Sequence, residues 1–148
     1  MQLEGFFPYR LAVVADGFSR QLTEVYQRDF GLSREEWRFL FLLADTGSLT
    51  SRDLARLGTL DKVQVSRAAD RLEAKALIIR APSPGDRRLK LYTCTDAGRR
   101  LFHEVFDRVN AQADQILARM SVEDRAALER GLSTLARATK ESGVPSPE

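Results

Sequence analysis

At 148 residues, 43% hydrophobic and 30% charged, the chain is long enough for one well-cored domain and short for two. It has no run of the roughly 20 apolar residues that a membrane span needs, and no basic-then-apolar amino end of a secretion signal; its single Cys94 and single His103 exclude a disulfide or zinc framework. The net charge of +2 is unevenly spread, with 12 Lys or Arg against six Asp or Glu in residues 50–100 and 11 against 15 elsewhere, as expected where one segment faces a polyanion.

The composition predicts a cytoplasmic protein with no membrane association, no metal and no cofactor. In chain order, Leu11, Val14, Phe18, Leu22, Val25 and Tyr26 recur at helical spacing and predict a long amphipathic helix over 8–31, opening near Pro8 and stopped by Gly31. Ser33-Arg34-Glu35-Glu36 is a capping box for a second helix through Trp37, Leu40 and Leu43 to Gly47. Thr50-Ser51-Arg52-Asp53 caps a short third helix closed by Gly58. After the turn Gly58-Thr59-Leu60, a fourth helix runs from about Asp61 to Ala76. Leu77-Ile78-Ile79-Arg80 and the stretch from Leu89 to Thr95 flank turn chemistry at 81–86 and predict a β-hairpin. Helix returns after Asp96 with Leu101, Val105, Phe106, Val109, Ile116, Leu117 and Met120, and Ser121 caps a last helix with Leu128, Leu132 and Leu135. The Pro- and Ser-rich stretch from Gly143 is expected to fray.

Two short helices joined by a tight turn form a helix-turn-helix, whose second helix lies in the DNA major groove. Helical geometry groups Val65, Ala68, Ala69, Leu72 and Ala76 as a buried stripe and leaves Val63, Gln64, Ser66, Arg67, Asp70 and Arg71 outward. Amide, hydroxyl and guanidinium groups read base edges and grip phosphates, and Val63 suits a thymine methyl. An ordinary helix with a solvated polar face would look similar. The following hairpin favours DNA, because Asp86-Arg87-Arg88 at its tip suits the negative potential of a narrow minor groove; incidental arginines beside a turn-forming Asp86 are the alternative.

The chain resembles the MarR family of winged-helix regulators from about Pro8 to Lys140. The likeness rests on Leu32-Ser33 with Glu36-Trp37-Arg38, Leu49-Thr50-Ser51-Arg52-Asp53-Leu54-Ala55, Asp61-Lys62-Val63-Gln64-Val65-Ser66-Arg67, Arg71-Leu72-Glu73-Ala74-Lys75, and Asp86-Arg87-Arg88 with Thr95 seven residues beyond. It implies a mainly α fold with a small β-hairpin wing. Residues 33–95 would form a winged helix-turn-helix DNA-binding lobe, and helices at 8–31 and 97–140 would interlock with those of a second copy, all within one domain spanning 1–148. It also implies that Arg88 enters the minor groove with Asp86 orienting it. The sequence departs from the family pattern at Cys94, where a Leu is usual, and at Ala76, where a Gly is usual. Cys94 at a strand position reads as core filler.

The expected DNA-binding set is Arg52, Lys62, Val63, Gln64, Ser66, Arg67, Arg71, Asp86, Arg87 and Arg88, acting on double-stranded DNA as a homodimer. The resemblance further implies a small phenolic or aromatic carboxylate effector near Tyr9, Arg10, Trp37 and Arg38, although core packing and solvation are the simpler roles for these side chains. The chain offers neither a nucleophile with its base nor paired acids for catalysis. A winged helix used only for protein binding is the competing reading, and it leaves the wing arginines without a purpose.

Overall fold

A computed structural model describes residues 3–141; the expectation for the stretch from Gly143 lies outside them. A short 3-10 turn at Leu3–Gly5 precedes helices α1 (Phe7–Arg28) and α2 (Arg34–Thr46), strand β1 (Ser48–Thr50), helices α3 (Ser51–Leu57) and α4 (Lys62–Ala74), strands β2 (Ile78–Pro82) and β3 (Lys90–Cys94), and helices α5 (Asp96–Leu117) and α6 (Val122–Glu141). The described residues thus form a mainly helical fold with a small antiparallel sheet, and none of their helices is long and apolar enough to cross a membrane. They divide into two compact units that meet within α5, one ending at Asn110 and the other beginning at Ala111.

In the first unit each short helix is started by its own local chemistry. Ser33, Thr50 and Asp61 accept from the backbone N–H three residues on, and Glu36, Asp53 and Gln64 return a bond to the cap backbone, so the orphan donors of three helix starts are satisfied from within the helix. The apolar stripes then meet: Phe39, Leu40 and Leu43 of α2, Leu54 of α3, Val65, Ala68, Ala69 and Leu72 of α4 and Val105 of α5 are all buried in one core. Gly98 in the first turn of α5 is required there, since a Cβ would lie 2.0 Å from the Leu77 carbonyl oxygen.

The hairpin is accompanied by a third strand. The sheet order is β1-β3-β2, and β1 pairs Ser48 with Thr93, Leu49 with Tyr92 and Thr50 with Leu91. The sequence pattern assigns no strand between Gly47 and the third helix; Ser48–Thr50 form one because β3 offers them its free edge.

Ala76 belongs to no buried stripe. It is exposed and lies beyond the end of α4 with φ 57°. The Leu77 N–H reaches the Leu72 carbonyl at 2.9 Å and the Ala76 N–H the Glu73 carbonyl at 2.9 Å, a Schellman-type stop that places its C′ residue in the left-handed region. The chain must turn here so that Leu77 and Ile78 can be buried at the root of the wing.

The second unit holds the end of α5 and α6. Ser121 Oγ accepts from the Asp124 N–H at 3.0 Å to start α6. Arg125 lies 3.6 Å from Asp114 and 3.4 Å from Glu129. Met120 falls after the end of α5, and Val122, Leu128 and Leu132 of α6 are exposed.

Candidate DNA-binding surface

The turn between α3 and α4 sets the direction of α4. Gly58 has an ordinary φ of −84°; it is needed because a Cβ would meet the Leu54 carbonyl oxygen at 2.7 Å and Leu42 Cδ1 at 3.1 Å. The left-handed step falls on Thr59, at φ 54°. Thr59 Oγ1 donates to the Gly58 carbonyl at 2.7 Å and accepts from Arg38 at 2.9 Å, so the turn is tied to α2. Upstream, the Thr50 hydroxyl and backbone N–H both donate to Asp53, and these bonds, with the charges of Arg56 and Arg52, hold its carboxyl below the usual range.

With Val65, Ala68, Ala69 and Leu72 buried, α4 turns Lys62, Val63, Ser66, Arg67, Asp70 and Arg71 to the exposed side. Gln64 is half-buried, and its Oε1 accepts from the Asp61 N–H at 3.0 Å while its own N–H donates to Asp61 Oδ1 at 2.8 Å. Its amide oxygen is thus engaged in the cap, and the amide NH2 is the group left for outside contacts. Asp70 is engaged as well, 2.6 Å from Arg80 on β2, a residue that sequence reasoning passed over.

At the wing tip, Asp86 grips Arg88 in three places. Oδ1 accepts from the Arg88 backbone N–H at 3.0 Å and from Nε at 3.2 Å, and Oδ2 accepts from an Nη at 3.2 Å. The Arg88 side chain is nonetheless 90% exposed, so the fork is oriented while its outer donors face away from the protein. These bonds and the charge of Arg52 on α3 keep the Asp86 carboxyl below the usual range. Arg87 is exposed beside Arg88.

A separate cleft of about 370 Å³ opens between α1, α2 and the α3–α4 turn. Trp37 and Arg38 line it, joined by Tyr26, Phe41, Arg34 and Thr59. Trp37 serves the core as well, stacked between Tyr26 at 5.7 Å and Phe102 at 5.5 Å. Tyr9 and Arg10 are not in the lining. They lie roughly 14 Å along α1 from its wall residue Ser19, at 1.5 Å rise per residue, on a stretch where every described residue up to Gly17 is exposed. Arg34 could have been found in the sequence, because it stands four residues before Arg38 and so shares its helix face.

Cys94 is buried, and desolvation pushes its thiol up, as suits a core side chain.

Residues 30–89 match the MarR family. The uncharacterized HTH-type transcriptional regulator YxaD of Bacillus subtilis is 31% identical over 104 residues, covering 70% of this chain and 73% of that protein. The chain belongs to the MarR family. Its members among solved structures share the fold. A mutant MarR of E. coli complexed with operator DNA aligns at a TM-score of 0.73 and 23% identity over 84% of this chain and 89% of that one. NadR in complex with 4-hydroxyphenylacetate aligns at 0.79 and 22% identity over 93% of this chain and all of that one. The family resemblance is therefore confirmed, and the protein is a transcriptional regulator of the MarR type.

Proposed function

We propose that the protein represses transcription by binding a palindromic operator in double-stranded DNA as a homodimer, with residues 33–95 as the DNA-binding lobe and helices at 8–31 and 97–140 as the dimerisation elements. The observation that carries this reading is the wing tip, where a buttressed and almost fully exposed Arg88 accompanies a helix whose exposed face holds Lys62, Val63, Ser66, Arg67 and Arg71. In the proposed complex α4 enters the major groove, with Arg67 toward base edges and Lys62 on the backbone. Arg88 enters the adjoining minor groove, and Arg52, Arg71 and Arg87 face phosphates. Dimerisation is supported by the exposed Phe6, Phe7, Leu11, Val13 and Val14, an apolar stretch that one copy leaves in water.

The proposed effector is a small phenolic or aromatic carboxylate held in the cleft. Trp37, Tyr26 and Phe41 supply aromatic surface, and Arg34 and Arg38 supply cations for a carboxylate. A carboxylate that engages Arg38 competes with Thr59 for its guanidinium and so acts on the turn that aims α4. The ligand in NadR, which has the same fold, supports this chemical class.

The test is to recover duplexes from a random-sequence pool with the purified protein, with and without 4-hydroxyphenylacetate. The expected result is an inverted repeat with half-site centres about 10 base pairs apart, bound by two chains and retained less in the presence of the acid. Recovery of duplexes with no common sequence would overturn the reading. Val14→Glu, which places a charge on the exposed α1 stretch, is expected to shift the protein from dimer to monomer in sedimentation.

A further inference from the structure

The wing follows α4 after a three-residue turn; its root is held by the pairing of β3 with β1 and by the burial of Ile78, Tyr92 and Cys94, and the ribbon beyond that root is the part that can bend relative to α4. Its outer strand β2 is an edge strand, bonded to β3 alone. Among the described residues, the ion pairs that tie the wing strands to α4 all come from Arg80, whose guanidinium lies 2.6 Å from Asp70 and 2.9 Å from Glu73. Asp70 and Glu73 are three residues apart on one helix face, and the planar fork of arginine suits two acids at once.

The site around Arg80 is built to hold that side chain in one place. The Arg80 side chain is only 23% exposed, and its Nε is buried without a hydrogen-bond partner. Its guanidinium carbon sits 5.8 Å from the centre of the Tyr92 ring, its partner across the β2–β3 ladder. Tyr92 in turn packs edge-on against the buried Phe39 at 5.1 Å. The two acids, the wing strands and the α2 core are thereby connected through one side chain.

Two carboxylates on the exposed side of α4 oppose DNA binding by charge alone. We infer that they are there to fix the wing: Arg80, held by Asp70 and Glu73, is a positioning residue that locks the wing to the recognition helix and so sets which minor-groove step Arg88 reaches when α4 is seated. The inference rests on the proposal above that α4 and the wing read DNA together. The lever is long. At about 3.3 Å per residue the tip lies at most roughly 20 Å from Arg80, so a swing of roughly 5° displaces Arg88 by about 2 Å. That exceeds the tolerance of a hydrogen bond.

The experiment compares Arg80→Gln, Arg80→Lys and Asp70→Asn with wild type on a duplex selected by the wild type and on its scrambled counterpart, with hydroxyl-radical footprints of the minor groove. Arg80→Gln is expected to lower operator affinity about tenfold and scrambled-duplex affinity less than about threefold, with the wing footprint lost and the α4 footprint kept. Arg80→Lys, which keeps the charge without the fork, should restore part of that specificity. Arg88→Ala should cost less in the Arg80→Gln background than in wild type, because a misplaced arginine has less to lose. Asp70→Asn decides the matter even if Arg80→Gln does not fold, since Asp70 is 64% exposed. A positioning role predicts weaker operator binding although a negative charge has been removed. A rise in affinity on both duplexes alike, or an equal cost of Arg88→Ala in both backgrounds, would overturn the inference alone; selection of no duplex by the wild type would overturn the DNA reading and this inference together.

Discussion

Lys75, the residue that closes α4, places its Nζ 3.2 Å from each carboxylate oxygen of Glu36 in the first turn of α2. Glu36 is only 2% exposed, also accepts from the Ser33 N–H at 2.7 Å, and has this one cation beside it among the described residues, while Lys75 remains 41% exposed and donates to the Gly31 carbonyl at 3.0 Å. The two ends of the pair are therefore not equivalent. Lys75→Met leaves a carboxylate buried without its cation and is expected to cost about 2 to 3 kcal/mol, whereas Glu36→Gln keeps the cap and frees a lysine that water can reach, at about 1 kcal/mol. Urea unfolding of the two variants and the double variant checks the order. Equal costs would show that the pair is held no more tightly than a surface salt bridge.

Arg88 is expected to matter to DNA and not to stability. Its side chain touches Asp86 and solvent, so Arg88→Ala should lower operator affinity by about tenfold or more, a loss within the roughly 1 to 3 kcal/mol of a specific contact, while the melting temperature stays put. The pair is also insensitive to pH in the neutral range. A depressed carboxyl keeps its charge, and the bonds that depend on it, until the pH falls below the ordinary aspartate range and through the lowered value. Operator affinity that declined between pH 7 and 5.5 in wild type and not in Asp86→Asn would contradict this.

On α4 the contrast to measure is between Arg67 and Lys62. Both are exposed, and Arg67 stands five residues further along α4, where its fork suits the two acceptors of a guanine edge. Arg67→Ala should lose the selected operator by about tenfold or more and a scrambled duplex far less, whereas Lys62→Ala should weaken both alike and flatten the salt dependence by about one ion. Matching losses for Arg67→Ala on the two duplexes would reduce it to a phosphate contact.

Ala76 holds a left-handed conformation, φ 57°, in the cap that ends α4. A Cβ in that region costs roughly 1 kcal/mol that glycine avoids, partly offset by glycine's greater freedom in the unfolded chain. Ala76→Gly is expected to stabilise the protein by about 0.5 kcal/mol without altering operator affinity. Thermal unfolding that showed a loss would mean the cap is held in this conformation at no cost.

The features legible in the sequence are those whose physics closes within a few residues. The capping boxes at Ser33 and Thr50 each satisfy helix donors with a side chain three positions away, and the Asp86–Arg88 brace spans two. Periodicity likewise divided α4 into its buried and exposed faces, because a 100° step leaves no other arrangement once Val65, Ala68, Ala69 and Leu72 must be covered. What the sequence could not carry depends on partners far along the chain. Strand β1 exists because β3 lends it hydrogen bonds from more than 40 residues away. Arg38 acquires a role only when the turn brings Thr59 to it across 21 residues. Tyr9 and Arg10 fell outside the cleft because its walls are built from residues nearer the end of α1. Arg80 and its two acids make up a constellation with no local signature: a strand arginine and two helix carboxylates are individually ordinary, and only the folding of the ribbon back against α4 places their charges within 3 Å of one another.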